Sequence, residues 1–270
     1  MSNLISSESL ELLRSNKTYY MSTKQPLMGF NSSIKILKGL KKYNYTTGIL
    51  YLQPSNAVSV KTFCPFADLA GCKDDCLGKT SGRLAMSQSQ RAMTRRSIQY
   101  VFDPDGFKER LRHEIIKNEK DNYCIRLNGT SDLDWSDLIA SLPNVQFYDY
   151  TKVFKRLERN TLPNYHLTFS ASFKSNKTIQ QAKEAVKRKY NVAIPLNTKE
   201  CKGEFKRPTE LVINSKKESV QNFDITDLRF LDKPSSIGTL TRKGSNIKQR
   251  LGEMDQPSFF GNPSTLALLA

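Results

Sequence analysis

Short apolar runs alternate with helical stripes of apolar positions from residue 46 onward. The runs have the length and composition of strands, and they cover 47–53, 123–128, 145–150, 165–170, 192–196 and 209–213. Between two of these runs, Phe107, Leu111 and Ile115 recur every four residues, which is typical of one apolar helix face. The pattern therefore predicts strands and helices in regular alternation.

Helix boundaries can be predicted at several positions. A helix is predicted over 83–102, and Asp103 followed by Pro104 indicates the N-cap and first position of the next helix. Another helix should end before Pro143, and Thr178 is predicted to cap a later one.

Alternating strands and helices are typical of a parallel sheet with right-handed crossovers. About six such units would fit an incomplete barrel or an open doubly wound sheet. We predict the α/β class, with a mainly parallel sheet in a partial (β/α)6 barrel-like arrangement. No G-x-G-x-x-G follows the first strand, and there is no Walker A motif, so the usual nucleotide-binding fingerprints are missing.

The chain divides into three predicted regions. Residues 1–45 form a basic N-terminal extension, rich in Ser, Asn and Lys, that closes with the stretch Lys35–Lys42. Residues 46–245 form the barrel-like domain, and 246–270 form an irregular C-terminal tail. The tail ends in an apolar segment that we expect either to have no fixed position or to dock on a neighbour.

The charge balance bears on partners. Lys and Arg number 42 against 26 Asp and Glu, a net charge of +16. This excess favours a polyanionic partner, most simply nucleic acid, although a solvated basic surface would also aid solubility. Lys35–Lys42 could be an amphipathic helix or a phosphate-contacting arm. No apolar run approaches a membrane span and no signal peptide is evident, so we expect a soluble intracellular protein without a membrane partner.

Three cysteines lie close together directly after the first predicted strand. Seven residues separate Cys64 from Cys72, and three separate Cys72 from Cys76. Five cysteines in all do not indicate a disulfide framework. Clustered thiolates bind zinc or iron–sulfur clusters, and three thiols on one loop would leave one cluster iron open.

Other interpretations of the cysteines remain open. Buried cysteines without a metal are common, so the loop could hold none. Zinc would need a fourth protein ligand. The candidates are Cys124, Cys201, His113 and His166, and none of them is indicated over the others.

Polar residues follow several of the predicted strands. In parallel α/β folds the carboxyl ends of the strands form the functional site. Asn128 and Asp132 follow the second strand, Asp149 and Lys152 come at the end of the third, and Ser170 ends the fourth. These side chains predict a pocket beside the cysteine loop, although loops are polar in any case and Asp132 could cap the next helix.

Arg126 should point to the inner face of the second predicted strand, because it alternates with Tyr123, Ile125 and Leu127. There it needs a carboxylate or a bound anion, and Asp132 and Asp149 are nearby candidates. Further arginines lie on the helix after the cysteine loop, where Arg91 and Arg95 share a face. They could supply charge near a cluster or a phosphate, or form a solvated basic face.

Several segments carry a resemblance to a known family. They are Cys64-Pro65 with Cys72 and Cys76, Arg91–Arg95, Ile125–Asp132, Pro143–Lys152, Asn164–Ser170, and Asp224–Asp232 with Lys243-Gly244. Together they resemble a family of bacteriophage proteins of the gene-product-88 type, over roughly residues 46–245. This resemblance implies a phage protein in the host cytoplasm, but it implies no particular reaction.

The layout is also similar, more distantly, to the radical S-adenosylmethionine enzymes. That resemblance implies a [4Fe–4S] cluster on Cys64, Cys72 and Cys76, with the cosubstrate S-adenosylmethionine on the fourth iron. The cysteine spacing departs from the usual C-x3-C-x2-C, and Asn128-Gly129-Thr130 is a weak substitute for the glycine-rich motif. We take Asp149, Lys152 and Arg126 as catalytic candidates, and Asn128, Asp132 and Ser170 as cosubstrate-binding candidates.

Three functional hypotheses follow. The first is a phage-encoded, radical-S-adenosylmethionine-like iron–sulfur protein, with nucleic acid as a candidate substrate. The second is a non-enzymatic nucleic-acid-binding protein with a structural zinc or no metal. The third is a virion or assembly component that uses its apolar tail to dock.

Overall fold

The computed structural model describes residues 15, 17–22, 24–58, 61–73, 75–80, 82–197, 207–242, 261 and 266–270. Its helices are α1 (Lys17–Ser22), α2 (Ile34–Tyr43), α3 (Leu77–Thr80), α4 (Ser87–Phe102), α5 (Pro104–Lys117), α6 (Ser136–Ala140), α7 (Phe154–Arg159) and α8 (Asn176–Lys187). Its strands are β1 (Met28–Phe30), β2 (Thr46–Leu50), β3 (Tyr123–Arg126), β4 (Gln146–Thr151), β5 (Tyr165–Ser170), β6 (Asn191–Leu196), β7 (Glu210–Ile213), β8 (Lys216–Asn222) and β9 (Ile237–Thr241).

The described strands form one sheet of nine, in the order β1-β2-β3-β4-β5-β6-β9-β8-β7. Strands β2 to β6 and then β9 are parallel and follow in chain order. The α/β class and the mainly parallel sheet are therefore confirmed. The chain-order winding is the one that barrels use, but β1 and β7 form two separate edges of the described sheet.

One predicted strand occupies a different place from the expected one. The run 209–213 becomes β7, which pairs antiparallel with β8 at the edge. Asn214 and Ser215 join the two strands with φ of 51° and 62°, the left-handed conformation of a two-residue hairpin. The sixth parallel strand is instead β9, whose Gly238 and threonines give it no clear apolar pattern.

All the larger crossover helices pack on one face of the sheet. The main apolar core joins Phe107, Leu111 and Ile115 of α5 to Ile125 of β3 and Phe147 of β4. Right-handed crossovers that always advance in the same direction place helices on one side, which explains this arrangement. We call this side the helix face and the opposite side the inner face.

The inner face is covered by two segments distant in sequence. Cys124 of β3 and Tyr148 of β4 point there and pack against Leu228. Gly39 of α2 in turn lies against Leu228. Residues 28–43, which the sequence assigns to an extension, thus contribute an edge strand and an inner-face helix. A three-residue strand such as β1 is too short for a pattern to reveal.

The helix caps give one confirmation and one correction. Asp103 is the N-cap of α5, and its side chain accepts from the Gly106 amide. For α8 the N-cap is Ser175, and Thr178 completes a capping box as the third helical residue. The prediction of Thr178 as the cap was wrong, because both hydroxyls suit a helix start. In the part of the chain that is described, no helix is long and apolar enough to cross a bilayer.

The described part of the tail packs on the domain. Gly261 forms a bridge with Leu196 at the end of β6, and Leu266 and Leu269 are buried in the main core. These apolar residues are therefore not available as a free docking segment. Cys201, Lys243 and Gly244 lie outside the described residues.

Candidate functional site

The cysteine loop, residues 61–80, stands at the carboxyl edge of the parallel strands. The Asp132 amide, after β3, donates to the Phe63 carbonyl at 2.8 Å. The Ser172 hydroxyl, after β5, donates to the Ala70 carbonyl at 2.8 Å. The loop that follows β2 is thus fastened to the segments that follow β3 and β5.

The three thiols of this loop are half-buried and electrostatically coupled. Burial raises the pKa of Cys64 to about 12, with smaller contributions from the neighbouring Cys76 and Cys72. Burial also raises the pKa of Cys72 and of Cys76, and the Cys72 charge acts on Cys76. Because the pKa of each thiol is raised, all three groups are protonated at neutral pH.

The protonated thiols act as hydrogen-bond donors to the backbone. Cys64 Sγ donates to the Thr130 carbonyl at 3.6 Å, and Cys72 Sγ donates to the Ala67 carbonyl at 3.9 Å. Among the residues that the structure describes, no three His, Cys, Asp or Glu side chains are arranged as ligands of one ion. Metal binding here requires deprotonation and a change in these side chains.

Lys152 lies among the thiols at the carboxyl end of β4. Its Nζ donates to Ser170 Oγ at 2.7 Å and to the Ser170 carbonyl at 3.2 Å. Burial lowers the pKa of Lys152, while negative charge on Cys72, Asp132, Cys64 or Cys76 would raise it. A small cavity beside these side chains is lined by Phe66, Lys152, Ser170 and Ser172. Lys152 and Ser170 are therefore the predicted site residues that the fold brings to the thiols.

Asn128 and Asp149 form a buried network instead of lining that cavity. The Asn128 amide and Nδ2 donate to the two Asp149 oxygens at 2.8 and 3.2 Å. Asn128 Oδ1 accepts from Ser131, Leu133 and Trp135. Both residues are at most 2% exposed. Burial raises the pKa of Asp149 to about 6, although Arg126 and Arg156 act against this.

Asp132 holds the loop after β3 against the end of β4. It accepts from the Thr151 hydroxyl and the Lys152 amide, each at 2.8 Å, and pairs with Arg156. It does not cap α6, where Asp134 accepts from the Ser136 amide at 3.0 Å. Asp132 thus positions Lys152 through its backbone. Sequence reasoning missed Arg156, because nothing local distinguishes it from the other basic residues of α7.

Arg126 points to the inner face, as its alternation indicates, but neither predicted carboxylate is its hydrogen-bonding partner. Its Nη1 donates to Asp227 Oδ2 at 2.8 Å, and Lys35 Nζ lies 3.1 Å from Asp227 Oδ1. Asp149 lies on the other side of β4, since it aligns with Leu167 of β5 and with the helix-face residues. Burial alone would raise the pKa of Asp227, but Arg126 and Lys35 hold it well below its usual range.

The other candidates lie away from the loop. Arg91 is exposed, whereas Arg95 is buried against Gln25 and Pro26, so the two do not form one solvated face. His113 is exposed beside Glu109. His166, at the amino end of β5, lies near Asn191, and burial with the Arg229 charge lowers its pKa to about 4. Cys124 bonds Thr47 on the inner face.

The fold and site define a class of protein: a mainly parallel α/β domain with a three-thiol loop at the carboxyl edge of its sheet. The family model described as Gene product 88 matches residues 24–254, and the chain belongs to this phage family. No curated protein and no solved structure matches the chain. The resemblance to the gene-product-88 type is confirmed, while the more distant one to radical S-adenosylmethionine enzymes gains no support and stays a prediction.

Proposed function

We propose that the cysteine loop ligates an iron–sulfur cluster, with Cys64, Cys72 and Cys76 each holding one iron of a [4Fe–4S] centre. The observation that carries the proposal is the position of three half-buried thiols on one loop, close enough to one another and to Lys152 for their charges to interact. This loop stands at the carboxyl edge, after the first of six chain-ordered parallel strands. When bound, such a cluster would supply one-electron reduction to a cosubstrate of the S-adenosylmethionine type at its open iron.

The donor set fits this group better than it fits zinc. Thiolates favour zinc, copper(I) and iron–sulfur clusters, and structural zinc almost always takes four protein ligands. Within the described residues, the other candidate zinc ligands lie away from the loop. His113 lies on α5, His166 at the amino end of β5, and Cys124 on the inner face. A set of three thiols is the number that leaves a cubane with one open iron.

Lys152 has a distinct role in this proposal. Its ammonium group would offset the negative charge that three thiolates bring, and its hydrogen bonds to Ser170 keep it at the strand end. Asp132, which binds the Lys152 amide, is a positioning residue. Asn128, Asp149 and Arg126 are assigned structural roles, because each already forms buried hydrogen bonds within the protein.

The test is metal and sulfide analysis of the full chain after anaerobic expression and purification. We expect about four irons and about four acid-labile sulfides per chain, with the broad absorbance of an iron–sulfur centre. Cys72→Ser should abolish both. The matched control is Cys124→Ser, which changes a thiol on the inner face and should leave iron and sulfide unchanged.

Two results would overturn the proposal. One is stoichiometric zinc without labile sulfide in protein that was never exposed to oxygen. The other is an equal loss of iron in the Cys72 and Cys124 variants when both unfold at the same temperature as the unaltered chain, which would show that the loop thiol has no special part in holding iron.

A second candidate function is nucleic-acid contact, which α2 favours. Lys38, Lys41 and Lys42 are exposed on this helix, while Lys35 forms an ion pair with Asp227. A row of exposed lysines suits sequence-independent phosphate contact.

A thiol-ligated cluster also suits a reducing compartment, so we place the protein in the host cytoplasm. The virion alternative is less favoured, since Leu266 and Leu269 of the tail are buried.

A further inference from the structure

A large groove is lined by residues other than those of the chemistry described above. It has a volume of about 750 Å³ and runs between the edge strand β1 and the solvent side of α5. Cavities of this size accommodate ligands in many proteins. None of its lining residues belongs to the cysteine loop or to the inner-face cluster.

One wall of the groove is basic. Arg110, His113 and Lys117 recur along a single face of α5, and Lys24 lies across from them. Among the described residues no ion pair involves Lys24, Arg110 or Lys117, and all three side chains are exposed. The carboxylate that lines the groove is Glu114, whose two oxygens accept from the Leu27 and Met28 amides at 2.8 and 2.9 Å. Its acceptors are thus partly used by the edge strand.

Two further guanidinium groups, those of Arg95 and Arg96, form hydrogen bonds with the backbone of Pro26, which lines the groove. Arg95 Nη2 and Arg96 Nη2 donate to the Pro26 carbonyl at 3.3 and 3.5 Å. Their Nε atoms are buried without a hydrogen-bond partner. Burial and the neighbouring Arg110 charge lower the pKa of Arg95, and burial with the Arg95 charge lowers that of Arg96 to about 10. An anion in the groove would relieve this mutual repulsion.

The floor of the groove is apolar. Pro26, Met28 and Phe30 come from β1 and the residue segment before it. An open groove with a cationic wall and an apolar floor suits a strand whose phosphates face one side and whose bases face the other. A duplex would present its phosphates but keep its bases stacked inside, away from the floor.

From this geometry we infer that the β1–α5 groove binds single-stranded nucleic acid, with Arg110, Lys117 and Lys24 contacting phosphates and Pro26 and Phe30 contacting bases. The inference rests on the nucleic-acid contact proposed above and states where a strand is held. It is independent of the iron–sulfur proposal.

The experiment measures binding of a fluorescein-labelled single strand of about ten nucleotides to the full chain by anisotropy. The groove variant is Arg110→Gln with Lys117→Gln. The matched control is Lys155→Gln with Arg159→Gln, which removes the same two charges from an exposed face of α7. Unchanged thermal unfolding of both variants shows that the fold is intact.

We expect the groove variant to bind on the order of 10-fold more weakly at about 0.1 M salt, and the salt slope to fall by about 1.4 for two lost phosphate contacts. The control should change affinity by less than about two-fold. A duplex of the same sequence and adenosine monophosphate should both bind more weakly than the single strand.

Three outcomes would overturn the inference. Equal effects of the groove and control variants would place the strand elsewhere, while the broader nucleic-acid proposal would stand. A duplex or a mononucleotide that binds as tightly as the strand would exclude a single-strand groove. No binding by the unaltered chain would remove both proposals together.

Discussion

Asp227 is the residue around which the inner face is organised. The residue is 3% exposed, and its carboxylate contacts Arg126, Lys35, Tyr148 and Tyr150. A buried carboxylate is costly on its own, but two cations and two hydroxyls satisfy its oxygens. The residue joins α2, β3 and β4 to the 224–232 segment.

Replacing Asp227 with Asn should therefore be strongly destabilising. Arg126 and Lys35 would remain in place without their carboxylate, and breaking a buried pair in this way costs about 3–5 kcal/mol. The free energy of unfolding, measured with denaturant at pH 7, checks this. The matched control is Asp137→Asn, since the Asp137–Lys108 pair is largely exposed. It should cost less than about 1 kcal/mol, and a comparable cost for the two variants would contradict the argument.

The difference in free energy of unfolding between the unaltered chain and Asp227→Asn should depend on pH with a definite sign. The folded pKa of Asp227 is depressed, so its contribution is present above the unfolded pKa of about 3.9 and is lost as pH falls through the folded value. The gap between the unaltered chain and the variant should shrink below about pH 4. Asp149, whose pKa is raised to about 6, acts in the opposite direction in both proteins and cancels in the comparison.

At the scale of elements, β9 shows how tertiary contacts replace sequence pattern. It lies between β6 and β8 although its sequence carries a glycine and two threonines. Phe223 packs directly over Gly238, and the Arg229 guanidinium lies 3.8 Å from the centre of the Phe223 ring. The absence of a side chain at Gly238 is what allows this ring to lie on the sheet.

Gly238→Ala should consequently disturb β9. A Cβ at this position would lie 2.2 Å from Phe223 Cδ1, closer than any real contact. Overpacking of this kind costs about 1–3 kcal/mol, which thermal or denaturant unfolding measures. Gly29→Ala in β1 is the control, because its Cβ would meet Ser32 Oγ at an ordinary 3.4 Å. If Gly238→Ala proved as harmless as the control, the close ring packing would be refuted.

What the sequence predicts depends on how local the signal is. The parallel strands β2 to β6 and the Asp103 cap follow from patterns within a few residues, and both are observed. The partner of Arg126 is not local, since Asp227 lies 101 positions further along the chain. Likewise, the sequence predicts that Asn128 and Asp149 line a pocket, because they are polar and lie at strand ends. Only the packing of Trp135 and Tyr165 around them shows that they are enclosed.

At the scale of the whole molecule, the net charge of +16 is a property of the surface. Several buried arginines pair with carboxylates, as in Arg156–Asp132, Arg229–Asp232 and Arg242–Asp75, whereas Arg95 is buried against Gln25 and Pro26. The paired groups are neutral together, so most of the excess resides on exposed lysines and arginines. A polyanion that approaches the molecule therefore meets a field of mainly positive sign.

The lysines of α2 give the test of that field. Replacing Lys38, Lys41 and Lys42 with Ala should lower the slope of log affinity against log salt by about two to three units if each contacts a phosphate. The measurement is binding of a nucleic acid at several salt concentrations.

The control replaces Lys155, Lys177 and Lys187, which are also exposed, and removes the same net charge. If the α2 lysines form a phosphate-contacting row, the control should lower affinity through the long-range field but leave most of the slope intact. Equal slopes in the two variants would show that only the overall charge matters, and an affinity independent of salt would show that phosphate contact does not contribute.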